Sequence, residues 1–478
     1  MKRFWLVLLS LGLIMAFSAS AFAVDVKVSG DFEVGGLYLN KISVNDANRV
    51  GETKGDPSTA FFYSRMRFGA DFIVAPCLKL VTSFDALDRI WGGNRSGAGV
   101  LGNGGDTVYG SMATAGTRAE SENFAMRLGY VEYTSPIGLF KVGYQKDYEW
   151  GTPFAARTNG TPAGQIMYIL PVGPVTIVAD YAAEKNNNYS AVTNTTSTDN
   201  DFDSYRLGAI FNFNGSQAKG EAGALLLYQR DAMNKPSGYY PGYLTNQYSV
   251  LPYFKATIGP VFIQGEIQYS FGDAAKFETD GTGPYQPSNV TINSLSVFLD
   301  ATVNLGMVYI GGSFAYLEGA DNPNTNSSTL KGGIGLNSAG LDWNPCLIMF
   351  NTYTTAYWVG MINGAGSESV DDEMQNAWFF QGRIGVKPIP KLDVQLAVAY
   401  ATADQKWGYG TAGLPVAYSN GTYGTEIDVT GTYKITNNLS YMLGFGYLFT
   451  GDYYQANAPN SGNVDNNYMV INKLTLSF

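Results

Sequence analysis

From Val26 to Phe478 apolar residues recur at every second position in runs long enough to cross a bilayer. In Gly424–Phe449, Ile427, Val429, Gly431, Tyr433 and Ile435 share one face, and Glu426, Asp428, Thr430, Thr432 and Lys434 the other. Thr436-Asn437-Asn438 turns the chain, and Leu439, Tyr441, Leu443, Phe445, Tyr447 and Phe449 resume the apolar row. A period of two is that of an extended strand with one greasy and one wet side. Each arm has about 11 or 12 residues, roughly twice a common globular strand and close to the length of a tilted spanning strand. One such hairpin fits a soluble sandwich, whereas nine of them in series require a closed sheet.

The same pattern can be followed along the whole chain. Val26–Tyr38 opens it, and Phe62–Phe72 and Leu78–Ala86 pair around Ala75-Pro76-Cys77. Phe124, Met126, Leu128 and Tyr130 oppose Ala125, Arg127 and Gly129, and the strand turns at Ser135–Gly138 into Phe140–Tyr144. Gly164–Leu170 pairs with Val175–Lys185, Tyr205–Phe213 with Glu221–Arg230, and Gln247–Ile258 with Val261–Phe271. Leu295–Leu305 pairs with Val308–Tyr316 and Trp378–Val386 with Leu392–Tyr400; the hairpin above and Tyr468–Phe478 complete the set. Eighteen strands result, joined by nine extended connections alternating with eight tight turns; boundaries read from one sequence leave 16 to 20 open. The expected fold is an all-β transmembrane antiparallel barrel with short periplasmic turns and long extracellular loops. Closure is required because an open edge in hydrocarbon leaves peptide groups unpaired.

Lys2 and Arg3, the apolar run Phe4–Phe17 and Ala21-Phe22-Ala23 form a secretory signal, expected to be cleaved after Ala23. The barrel is then residues 24–478, and losing two basic residues raises the acidic excess from 10 to 12. So acidic a chain is a poor partner for nucleic acid. The sequence contains no histidine, which removes histidine-ligated metal and haem and every Ser-His or Cys-His hydrolase arrangement. No cofactor is implied and no enzyme is expected. Cys77 and Cys346 are no disulfide framework, although export permits a bridge.

Two stretches and the C-terminus carry a resemblance. Tyr130-Val131-Glu132-Tyr133 with Leu139–Gln145 resembles the fourth and fifth strands of 18-stranded bacterial porins, including the alginate-export type. Gly424–Asp428 and Gly446–Asp452 resemble the closing hairpin of the same group. The terminal Phe478 resembles the signal that the outer-membrane barrel assembly machinery reads. The resemblance implies a passive channel for small hydrophilic or charged solutes in the Gram-negative outer membrane, in contact with its lipid, with a homotrimer as one arrangement.

On this register Arg65, Arg67, Lys79, Arg127, Lys141 and Arg206 point into the lumen from the N-terminal half. Glu266, Asp300, Asp393, Glu426 and Asp428 do so from the C-terminal half. Two readings stand: opposed basic and acidic walls across a constriction, or ordinary ion pairs with neighbours such as Asp71, Asp85, Arg383 and Lys434. Glu318–Asn376 is long for a structureless connection, and Cys346–Phe350 within it is too apolar to float in water. It is expected to fold into the pore, with capping as the alternative. Tyr38, Trp91, Tyr144, Trp378 and Tyr400 are candidates for interfacial girdles. The competing function is a sheath around a periplasmic or extracellular partner such as a multihaem cytochrome; adhesion through the loops is a third.

Overall fold

Strand-to-strand pairing closes on itself. In the computed structural model the first strand pairs with the second from Asp25↔Ile73 to Leu39↔Thr59, and with the last from Asp31↔Ser477 to Leu39↔Met469. The described residues are 24–46, 58–92, 124–147, 149–186, 200–235, 242–277, 288–320, 328–332, 338–364, 369–409, 415–417, 421–455 and 463–478. The signal peptide and most of the Trp91–Ser121 connection lie outside them.

The barrel strands are β1 Asp25–Leu39, β2 Thr59–Ala75, β3 Leu78–Ile90, β4 Phe124–Ser135, β5 Gly138–Gln145 and β6 Ala163–Val172. β7 Val175–Lys185, β8 Phe202–Asn214, β9 Ala218–Asp231, β10 Tyr243–Ile258, β11 Val261–Phe277 and β12 Val290–Leu305 follow. β13 Val308–Leu317, β14 Ala377–Ile389, β15 Leu392–Ala403, β16 Thr422–Lys434, β17 Leu439–Thr450 and β18 Asn467–Ser477 complete the wall. Every neighbouring pair is antiparallel, so the expected eighteen-stranded closed barrel is the fold. Short pieces at Thr329–Leu330 and Trp407–Tyr409 with Pro415–Ala417 decorate the long connections. No described helix is long and apolar enough to cross a membrane.

The period of two sorts side chains as expected along most strands. Val26, Val28, Phe62, Leu226, Ile384, Leu443 and Phe449 are exposed on the outer face. Trp91, Tyr144, Trp378 and Tyr400 are also exposed there, and Tyr38 packs at a tilt beside Tyr468 across the closing seam, with ring centroids 5.9 Å apart. Phe478 extends the seam, since its N–H and C=O both bond to Gly30, each at 2.9 Å.

β4 departs from strict alternation. Ser83 opposes Leu128 and Phe84 opposes Met126, so Arg127 is an extra residue in its strand. One added residue reverses the faces beyond it. Phe124 and Met126 stay exposed outside, while Leu128 becomes buried and the outward row continues with Val131 and Tyr133. Leu128 and Tyr130 therefore face the lumen, contrary to the simple alternation.

Candidate functional site: two loops folded into the lumen

The connection after β13 does fold inward. Inward positions on the upper parts of β1, β12–β15, β17 and β18 are apolar: Leu37, Phe298, Phe379, Ala399, Leu448 and Ile471 are all buried. They form one core with Ile348, Met349 and Phe350 of the loop. Burial of both faces of a strand needs a partner on each side, and here the loop supplies the inner one. β15 shows the mechanism, since Ala397, Ala399, Ala401 and Ala403 are the inward residues and their small size leaves room for it.

Backbone polarity decides where the loop docks. Leu347, Ile348 and Met349 present successive N–H groups to the wall. Glu426 accepts the last two, each at 2.7 Å, and Asp428 accepts the first at 3.2 Å. Asn351 then caps a short helical turn by accepting the Thr354 N–H at 3.0 Å. That turn carries Tyr353, Tyr357 and Trp358 to β2 and β3, four to five strands round the wall from β16. Arg65 donates to Tyr353 Oη at 2.9 Å and to Asp88 at 3.2 Å, and Tyr357 Oη donates to Asp88 at 2.6 Å. The guanidinium lies 4.5 Å from the Tyr357 ring centroid, and Trp358 stacks on Tyr63 at 4.2 Å. Burial and the Asp88 carboxylate push the Tyr357 phenol up, so it stays a donor. The segment thus runs inside the wall from β16 past β17, β18 and β1 to β2 and β3.

A second inward segment, between β5 and β6, carries no alternation and was not singled out by the sequence reading. Its apolar Phe154-Ala155-Ala156 was the available signal. Thr152 donates its N–H and hydroxyl to Glu266 Oε2 at 2.8 and 2.7 Å. Gly151 makes this approach possible: its φ is +69°, and a Cβ would stand 2.6 Å from that carboxylate oxygen. Phe154 stacks on Phe298 with centroids 5.0 Å apart and meets Trp343 edge-on. Arg157 pairs with Glu373 of the long loop at 2.5 Å, while Asp342 accepts from Thr158 Oγ1 at 2.6 Å and Asn159 Nδ2 at 2.9 Å. The two loops therefore form one plug.

The remaining sequence-selected charges are distributed around it. Arg67 forms a fork with Asp85 at 2.7 and 3.1 Å and also reaches Asn159. Lys79 lies between Glu132 at 3.0 Å and Asp71 at 3.5 Å. Arg206 gathers Asp147, Asp180 and Glu184 within 2.8 to 3.1 Å. Asp300 pairs with Arg383 at 2.7 Å, and Asp393 with Lys387 at 3.4 Å and Tyr309 at 2.9 Å. Arg127 donates to the Thr158 carbonyl. Lys141 lies 5.9 Å from the Tyr130 ring centroid. Among the described residues neither Arg127 nor Lys141 forms an ion pair. Cys77 and Cys346 are both free thiols, the first exposed and the second buried, so no bridge forms.

Beside the plug, on the β4–β9 side, the lumen keeps a cavity of about 360 Å³. Lys141, Tyr130, Trp150, Met167, Val178 and Ile210 are among its lining residues.

Asp371 gives the plug a pH dependence. It is 0 % exposed; its Oδ1 accepts from Ile362 N at 2.9 Å and Ser369 Oγ at 2.7 Å, and its Oδ2 has no partner. Burial raises its pKa from 3.8 to about 7. An acid raised on folding stabilises the loop fully below its unfolded pKa, and this is lost as pH rises through about 7. Protease cleavage within 338–374 is expected to be several-fold faster at pH 8.5 than at pH 5.5 after correction for protease activity. Asp371→Asn is expected to lower that ratio, the remainder belonging to Glu426 and Asp428, acids buried under the same loop, and an unchanged ratio in the variant would refute the assignment.

No family model matches the chain, and no curated protein does. Among solved structures it is similar to the outer membrane protein OpdK of Pseudomonas aeruginosa, with 12% identity, 95% of this chain and 99% of that one covered, and a TM-score of 0.46. OccK2 (OpdF) of the same organism, in complex with glucuronate, gives 11%, 95%, 97% and 0.48. OmpT of Vibrio cholerae gives 11%, 96%, 99% and 0.37. Likenesses this distant assign no role to any residue here.

Proposed function

We propose that the chain is an outer-membrane porin, a passive channel whose path runs beside the two-loop plug along the β4–β9 wall. The observation that carries this reading is the eccentric packing: loop and wall fill the β12–β18 and β1 side with a common core, and the water-accessible cavity lies on the β4–β9 side. An exposed apolar outer face suits lipid, and eighteen strands enclose more space than wall side chains alone can fill. A lumen occupied by the protein's own loops supports a channel over a sheath for a large partner.

Selectivity then rests on the cations that no carboxylate claims, Lys141 above all. Arg65 is 5 % exposed beneath loop aromatics and serves as an anchor. Lys141→Glu is expected to lower the anion-to-cation permeability ratio several-fold at low salt, with the effect shrinking at 1 M salt. Planar-bilayer reversal potentials in a salt gradient read this directly. A ratio unchanged in Lys141→Glu would place the path elsewhere.

A further inference from the structure

The docking point of the long loop is chemically unusual. Glu426 and Asp428 are neighbours on one face of β16, 0 % and 6 % exposed, and Cys346 of the loop, at 3 %, lies against them. One donor atom from each of the three falls within 4.8 Å of the others. Among the described residues no lysine or arginine pairs with either carboxylate. Two buried carboxylates side by side require neutralisation by a proton or a cation, because peptide N–H groups supply only partial charge.

Two further features favour a cation. Asp428 Oδ1 is buried without a hydrogen-bond partner, although its Oδ2 accepts from Leu347. The residue opposite Asp428 on β17 is Gly446, and a Cβ there would stand 2.7 Å from Asp428 Oδ1, 3.1 Å from Leu347 Cβ and 3.4 Å from Glu426 Oε1. The glycine keeps open the space beside the unpartnered oxygen.

We propose that Cys346, Glu426 and Asp428 bind a divalent transition-metal cation of the zinc type, which staples the lumenal loop to the barrel wall. One thiolate and two carboxylates form a borderline donor set suited to zinc and poorly suited to magnesium or calcium, which take oxygen alone. Tetrahedral zinc sets its ligand atoms about 3.5 Å apart. The donor atoms, within 4.8 Å of one another, close on the cation by about an ångström at most. Binding releases to solvent the thiol proton and the proton that the two carboxylates share in the metal-free state; no redox change is involved.

The test uses the full-length mature barrel refolded in detergent, titrated with cadmium as a zinc analogue and followed by the ultraviolet thiolate-to-cadmium absorption. Zinc retained after dialysis is measured in parallel. Wild type and Cys77→Ser are expected to bind one cation per barrel. Cys346→Ser and Asp428→Asn are expected to weaken binding about tenfold or more, because losing even an outer-shell partner costs a metal site about that much. Heat-modifiable gel mobility confirms that each variant is folded. Folded Cys346→Ser binding as wild type does, or no thiolate–cadmium band in wild type, would overturn the proposal; the carboxylates would then share a proton.

Discussion

Replacing residues 339–374 with a short glycine–serine linker is expected to raise single-channel conductance about two- to fivefold while leaving the barrel folded. Ala339 and Met374, the first and last residues removed, are adjacent in space, the Ala339 N–H donating to the Met374 carbonyl at 2.8 Å. A linker of a few residues can therefore join Ser338 to Gln375 without straining the wall, where Leu317 and Ala377 remain paired. What is removed is the inner partner of the apolar core. Phe298, Phe379 and Ile471 would then face water at a cost of several kcal/mol, but the continuous hydrogen-bond ladder would remain. The 149–159 segment would lose Asp342 and Glu373, its partners on the long loop, and is expected to become mobile. Larger current fluctuations should accompany the higher mean conductance. Conductance unchanged by the excision would mean that the loop does not border the path.

The second large effect is Glu426→Ala. That substitution leaves the Ile348 and Met349 N–H groups without acceptors in a buried setting, at about 1–3 kcal/mol each. The cost falls on the docked loop, since β16 keeps its ladder to β15 and β17. A loss of about 3 kcal/mol raises the undocked fraction more than a hundredfold. Proteolysis within 338–374 should accelerate accordingly, and the barrel's heat-modifiable mobility should not change. Equal cleavage rates in wild type and variant would refute the anchoring role of Glu426. Glu426→Gln is expected to fall between, because its amide keeps one acceptor oxygen and turns a donor toward the other N–H.

Much of the fold was legible because lipid contact and closure impose a strict period on every strand. The hairpin at 424–449 shows it: Ile427, Val429 and Tyr441 point outward and Glu426 and Asp428 inward, as the alternation requires. At Arg127 the same reasoning failed for a physical reason. A bulge adds one residue without altering composition, and Leu128 and Tyr130 look equally at home on either face. The plug was half visible. Cys346–Phe350 stood out as apolar within a long connection, whereas the inward alanines of β15 read simply as a greasy strand.

Partners were the least legible part. Which carboxylate meets which guanidinium depends on stagger between strands and on loop paths, neither of which periodicity records. Arg65 and Arg67 look alike in sequence, two residues apart on one face. In the structure Arg67 is forked to Asp85 on β3, while Arg65 is covered by Tyr353, Tyr357 and Trp358, nearly 300 residues away in the chain.

Water and small solutes are expected to pass the plug, and single-channel recording of the wild-type barrel, residues 24–478, in a planar bilayer reads that passage. A steady, small conductance per barrel is expected, with a selectivity that moves on Lys141→Glu. No conductance across the voltage range, from protein shown to be inserted and heat-modifiable, would contradict it.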